Sequence, residues 1–145
     1  MKAGIATVAV LTAIFFIFNK CGDENNDMQY YKFKKEGELT FTDSTQNLKI
    51  KINIEIAEDE YERQLGLMNR QSMEEMQGML FIFPEERYQS FWMLNTLFSL
   101  DMLFINKQNK IVTIHKNTTP LSQQSYPSSK PSIYVLEVVA GFTDR

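Results

Sequence analysis

Asp101 and Glu137 are the residues of this 145-residue chain best placed to do chemistry, because each interrupts a row of aliphatic side chains. Side chains alternate between the two faces of a strand. In "LDMLFI" (100–105), Asp101 therefore points with Leu103 and Ile105; in "SIYVLEVVAG" (132–141), Glu137 points with Ile133, Val135 and Val139. A carboxylate set among such neighbours needs a cation or several hydrogen-bond donors. Arg70, ending the apolar "GLMNR" (66–70), is the candidate cation, since a guanidinium can meet a carboxylate through two N–H groups. Asn95 and Thr96, inside "SFWMLNT" (90–96), add an amide and a hydroxyl, and Trp92 adds a broad aromatic surface.

Two uses of these groups compete. In one, they only pin loops to a sheet. In the other, Arg70, Trp92, Asn95, Thr96, Asp101 and Glu137 converge on a small ligand, few polar groups in a mostly apolar pocket. A third use, an acid/base pair of Asp101 and Glu137 in a hydrolase, needs the carboxyls about 5–9 Å apart across a cleft. No nucleophile accompanies that pair, and neither a glycine-rich phosphate loop nor an HExxH pair occurs.

Other chemistry is weaker. Met73, Met76 and Met79 are spaced as soft thioether ligands for Cu(I) could be, but methionine also fills irregular gaps in a small core, and that reading is preferred. His115 sits near the end of "KIVTIHK" (110–116) and is expected to face solvent. Cys21 is the only cysteine, which excludes an intrachain disulfide or a multi-cysteine metal site. No cofactor or metal is expected.

The elements that must position these residues read as strands. "LKIKINIEIA" alternates strictly, with Leu48, Ile50, Ile52, Ile54 and Ile56 on one face and Lys49, Lys51, Asn53 and Glu55 on the other. A short helix follows in "EDEYERQLG", acidic at its start and closed by Gly66. "GMLFIF" (78–83) is a strand stopped by Pro84; "SFWML" (90–94), "LDMLFI", "KIVTIHK" and "SIYVLEVVAG" supply the rest. "NKQN" (106–109) is a hairpin turn, and "NTTPLSQQSYPSSKP" (117–131) is a polar loop. Six strands with short turns predict a mainly β domain, a small antiparallel β-sandwich or barrel with one or two short helices.

The N-terminus reads as an address. One lysine precedes sixteen uncharged, mostly apolar residues, 3–18, about 24 Å long as a helix and short of a bilayer core of about 30 Å. Residues 1–21 are expected to be a signal peptide or membrane anchor, with Cys21 a candidate lipid acceptor, although Phe18, Asn19 and Lys20 replace the small residues such signals favour. Residues 22–45 form a polar tether in which "ELTF" could add an edge strand, and 46–145 form the β domain. This arrangement expects the cell envelope, with the domain membrane-anchored and facing outside the cytoplasm. Its expected partners are the membrane, through the N-terminus, and a small molecule or an envelope protein. The formal net charge of −3 and the lack of any Lys/Arg cluster argue against nucleic acid.

Five of these segments, "GLMNR", "GMLFIF", "SFWMLNT", "LDMLFI" and "YVLEVVAG", occur in the order that marks the "domain of unknown function 192" family, and the chain resembles it over about residues 47–142. The resemblance implies a small mainly β fold, often exported or lipid-anchored in bacteria, and no established activity. The chain departs from the family pattern at Leu94, where members commonly carry Lys, and at Ser99, where they commonly carry Pro. Members usually continue past the "AG" into a further strand. Its lack would expose a sheet edge unless "ELTF" covers one.

Overall fold

A computed structural model describes residues 32–43 and 49–144. The apolar run, Cys21 and most of the tether lie outside the described residues. Among the described residues no helix is long and apolar enough to cross a membrane.

The domain is mainly β. Strands β1 (Gly37–Thr42), β2 (Lys49–Ala57), β3 (Gln77–Arg87), β5 (Leu100–Ile105), β6 (Ile111–His115) and β8 (Ser132–Val139) form one sheet in the order β1-β2-β3-β8-β5-β6. The two-residue strands β4 (Ser90–Phe91) and β7 (Tyr126–Pro127) make a second, small sheet. All pairings are antiparallel except β2 with β3. A parallel pair needs a crossover, and helix α1 (Glu60–Leu65) with the segment after it provides one.

Helix α1 starts and stops where its sequence dictates. Asp59 accepts from the Glu62 amide while the Glu62 side chain reaches back to the cap, a reciprocal capping box. Gly66 ends the helix at φ 47°, ψ −132°, a conformation open essentially to glycine alone.

Both faces of the sheet are covered, so β5 and most of β8 are buried throughout rather than alternating with polar residues. On one face Met79, Phe81, Leu100, Met102, Phe104 and Val135 pack with Leu67 and Met93 from the loops and Tyr126 from β7. On the other face Ile52, Ile54, Leu103, Ile105, Leu136 and Val138 pack with Phe142 from a closing 3₁₀ turn (Phe142–Asp144). The Phe142 ring meets Phe41 of β1 at 5.4 Å, so the chain after β8 folds back across this face toward the sheet edge. "ELTF" lies within β1 and covers the outer side of β2.

Three elements differ from expectation. Strand β3 runs through Pro84 because its register with β8 shifts between Ile82 and Arg87, leaving the proline outside the ladder, where its missing N–H costs no bond. Strand β4 stops at Phe91, since the chain turns with the Thr96 amide donating to the Met93 carbonyl (3.1 Å) and Asn95 at φ 54°. His115 is half-buried: its ring sits edge-on to Phe104 (5.8 Å) and Tyr126 (5.5 Å), and its Nε2 bonds the Pro127 carbonyl at 2.8 Å.

Candidate functional site

Strand register decides which chemical groups share a face. Glu55 of β2 lies opposite Met79 of β3, Met79 opposite Glu137 of β8, Glu137 opposite Met102 of β5, and Met102 opposite His115 of β6. One row across five strands thus reads Glu-Met-Glu-Met-His. Both glutamates in it are buried.

Arg70 sits over this row. Its position comes from the segment after α1, where Asn69, at φ 59°, donates its amide to the Asn95 carbonyl at 2.9 Å. Asparagine is among the few side-chain-bearing residues that tolerate a left-handed backbone. Arg70 is 8% exposed and its Nη1 lies 2.6 Å from the Glu55 carboxylate, which also accepts from the Lys34 amide. Its Nε is buried with no hydrogen-bond partner among the described residues.

Glu137 lies on the same face, close enough to Arg70 to feel its charge. Burial pushes its acid up to about 8, against the opposing pull of the Arg70 charge. Burial thus favours the neutral carboxylic acid, which can donate as well as accept.

Two clefts flank Leu65 and Gly66, which line both. The wider, about 220 Å³, is bordered by Lys32, Lys34, Glu36, Glu55, Glu62 and Arg70. The narrower, about 30 Å³, is bordered by Phe81, Phe91, Trp92, Thr96 and Glu137. Gly66 keeps the wall between them thin: a Cβ there would stand 3.1 Å from the Phe81 ring.

Four of the six sequence candidates line these two clefts: Arg70 the wide one, and Trp92, Thr96 and Glu137 the narrow one. Thr96 is buried with its hydroxyl turned to the Leu94 carbonyl at 3.4 Å. Asn95 is exposed, and its backbone carbonyl is the part that ties in Arg70's segment.

Asp101 does not join them. It lies opposite Val138, one residue out of step with Glu137, so the two acids occupy opposite faces of the sheet. A shared Arg70 and an Asp101–Glu137 acid/base pair are both lost with that register. Asp101 is fully buried and is satisfied by donors alone: the Asn117 amide (2.9 Å), the Thr143 amide (3.0 Å) and the Thr143 hydroxyl (2.7 Å). It ties the segment after β6 and the closing turn to β5.

Sequence reasoning missed Glu55, because alternation placed it on a water-facing side of β2 with two lysines. The signal was the helix that follows: a crossover to a parallel neighbour must cover one face of the strand it leaves. Met79, Met93 and Met102 are core side chains, and among the described residues no cluster of three His, Cys, Asp or Glu could hold a metal ion.

The family profile for DUF192, an uncharacterized ACR, matches residues 40–145. The chain belongs to the DUF192 family. Two solved structures share the fold. One, described as a candidate transcription regulator from Sinorhizobium meliloti 1021, is 39% identical with a TM-score of 0.72, covering 74% of this chain and 83% of its own. The other, a protein of unknown function from Novosphingobium aromaticivorans DSM 12444, is 28% identical with a TM-score of 0.69, covering 73% and 74%. No curated protein matches the sequence.

Proposed function

We propose that this DUF192 domain is a membrane-tethered, extracytoplasmic module that binds a small polar ligand, without converting it, around Arg70, Trp92, Thr96 and Glu137. An envelope protein presenting such a group is the macromolecular version of the same partner. The observation that carries the reading is the buried guanidinium of Arg70: it is anchored on Glu55, its Nε–H has no hydrogen-bond partner among the described residues, and its charge acts on the buried carboxyl of Glu137, which lines the neighbouring narrow cleft. Buried polar groups are ordinarily satisfied, and a ligand that supplies the missing partners gains those hydrogen bonds away from water. The two adjoining clefts, about 220 Å³ at Arg70 and about 30 Å³ at Trp92, Thr96 and Glu137, both lie below the roughly 300–1,000 Å³ typical of drug-sized ligands, which favours a compact molecule.

The tether rests on the apolar run of residues 3–18 and the polar stretch after it. The regulator description of the Sinorhizobium relative would ask for a basic face toward phosphates. This chain has 15 Lys and Arg against 18 Asp and Glu, and the cleft's own lysines stand among glutamates.

A thermal-shift panel of amino acids, dicarboxylates and polyamines tests the reading on the wild type and Glu137→Gln. One class should raise the wild-type Tm and lose most of that effect in the variant. A panel with no stabilising member, or equal shifts in both proteins, would count against it.

A further inference from the structure

Trp92, Leu97 and Leu121 are 55%, 40% and 60% exposed, large apolar side chains on two neighbouring loops. The loops are stitched together: the Met93 amide donates to the Ser122 carbonyl (3.0 Å) and the Leu121 amide to the Thr96 carbonyl (3.0 Å). Leu121 stands at φ 59°, in the left-handed region that a residue with a Cβ rarely adopts, so its display toward solvent is held by the surrounding structure. Exposed large apolar groups brought onto neighbouring, hydrogen-bonded loops are the kind of feature that marks an interaction surface.

The start of the described chain indicates the occupant. Lys32, the first described residue, borders the wide cleft and Trp92 the narrow one, and the two clefts share Leu65 and Gly66, so the lead from residues 19–31 joins the domain one cleft away from this surface. Residues 19–31, fully extended, reach at most about 47 Å from the apolar run of residues 3–18. A domain held on so short a lead from a bilayer would meet it repeatedly, and a tryptophan flanked by leucines suits the headgroup boundary. The charges nearby, Lys32, Lys34 and Arg63 against Glu36 and Glu62, nearly cancel, so an anionic lipid is not required.

We propose that the face made by Trp92, Leu97 and Leu121 rests in the headgroup layer of the membrane to which the chain is tethered, an inference that rests on the tethered reading above. Trp92 is the chain's only tryptophan and reports on it directly. The full chain is reconstituted into phosphatidylcholine vesicles with plain or brominated acyl chains, and flotation and Trp92 emission are read together. The inference expects the protein to float, with emission at least twofold lower in brominated vesicles. A Leu97→Ser/Leu121→Ser double variant should float equally while losing most of the quenching. Flotation without quenching, or quenching undiminished in the double variant, would overturn the docking face and leave the tether standing. Failure to float would overturn the tether, and the docking face with it.

Discussion

The guanidinium of Arg70 meets the carboxylate of Glu55 at 2.6 Å, with both side chains more than nine-tenths buried. One comes from the segment after α1 and the other from β2, so this contact fixes the crossover against the sheet and sets the wall of the wide cleft. Removing one member of a buried pair strands the other charge. Glu55→Gln should therefore cost about 3–5 kcal/mol in urea unfolding. A double Glu55→Met/Arg70→Met variant should recover much of that loss while abolishing any ligand response.

Glu137 makes stability fall with rising pH. Its native acid is raised from 4.5 to about 8, so between those values the folded state holds a proton that the unfolded state has released. Stability contributed by the neutral form is fully present below about pH 4.5 and is lost as pH rises through about 8, by up to about 1.4 kcal/mol per unit. Glu137→Gln should flatten this slope in denaturation curves collected from pH 5 to 9. Unchanged slopes would mean that another group sets it.

Asp101 holds three donors from two separate segments. Asp101→Ala should destabilise by about 3 kcal/mol, since hydrogen bonds to charged groups contribute about 1.5–3 kcal/mol each and part of the loss is recovered by water. Amide exchange at Asn117 and Thr143 should rise. Ligand-induced thermal shifts should stay intact, because Asp101 lies on the other face from Glu137.

Gly66 combines a conformation that L residues avoid with a close approach to the Phe81 ring. Gly66→Ala should cost more than about 1 kcal/mol, and it should reshape the narrow cleft by displacing Phe81. The same substitution at Gly141, where a Cβ would meet nothing within 4 Å, carries only the backbone strain of φ 86° and should be milder.

Local features were the most readable in the sequence. Alternation in "LKIKINIEIA" gave β2, "LDMLFI" matched β5 residue for residue, and an acidic start and Gly66 bracketed the helix. Pairing was not readable. Parity within one strand says which residues share a face of that strand, but a one-residue change of register moves every side chain of its neighbour to the opposite side. Asp101 and Glu137 were each rightly read as carboxylates in apolar rows, yet the Met102–Glu137 register put those rows on opposite faces. Glu55 escaped for the converse reason: a polar position looks solvent-facing until a crossover covers it. Pro84 misled because a bulge, which has no sequence signature here, removed it from the ladder.

The central claim is that Arg70 and Glu137 frame a ligand site, and the resonances of two N–H groups test it most directly. Titrating the stabilising panel member into ¹⁵N-labelled protein should shift the single indole N–H, that of Trp92, together with the Arg70 Nε–H, and Glu137→Gln should suppress both shifts. Saturable shifts that bypass these two signals and cluster elsewhere, at the β6 edge for example, would contradict it.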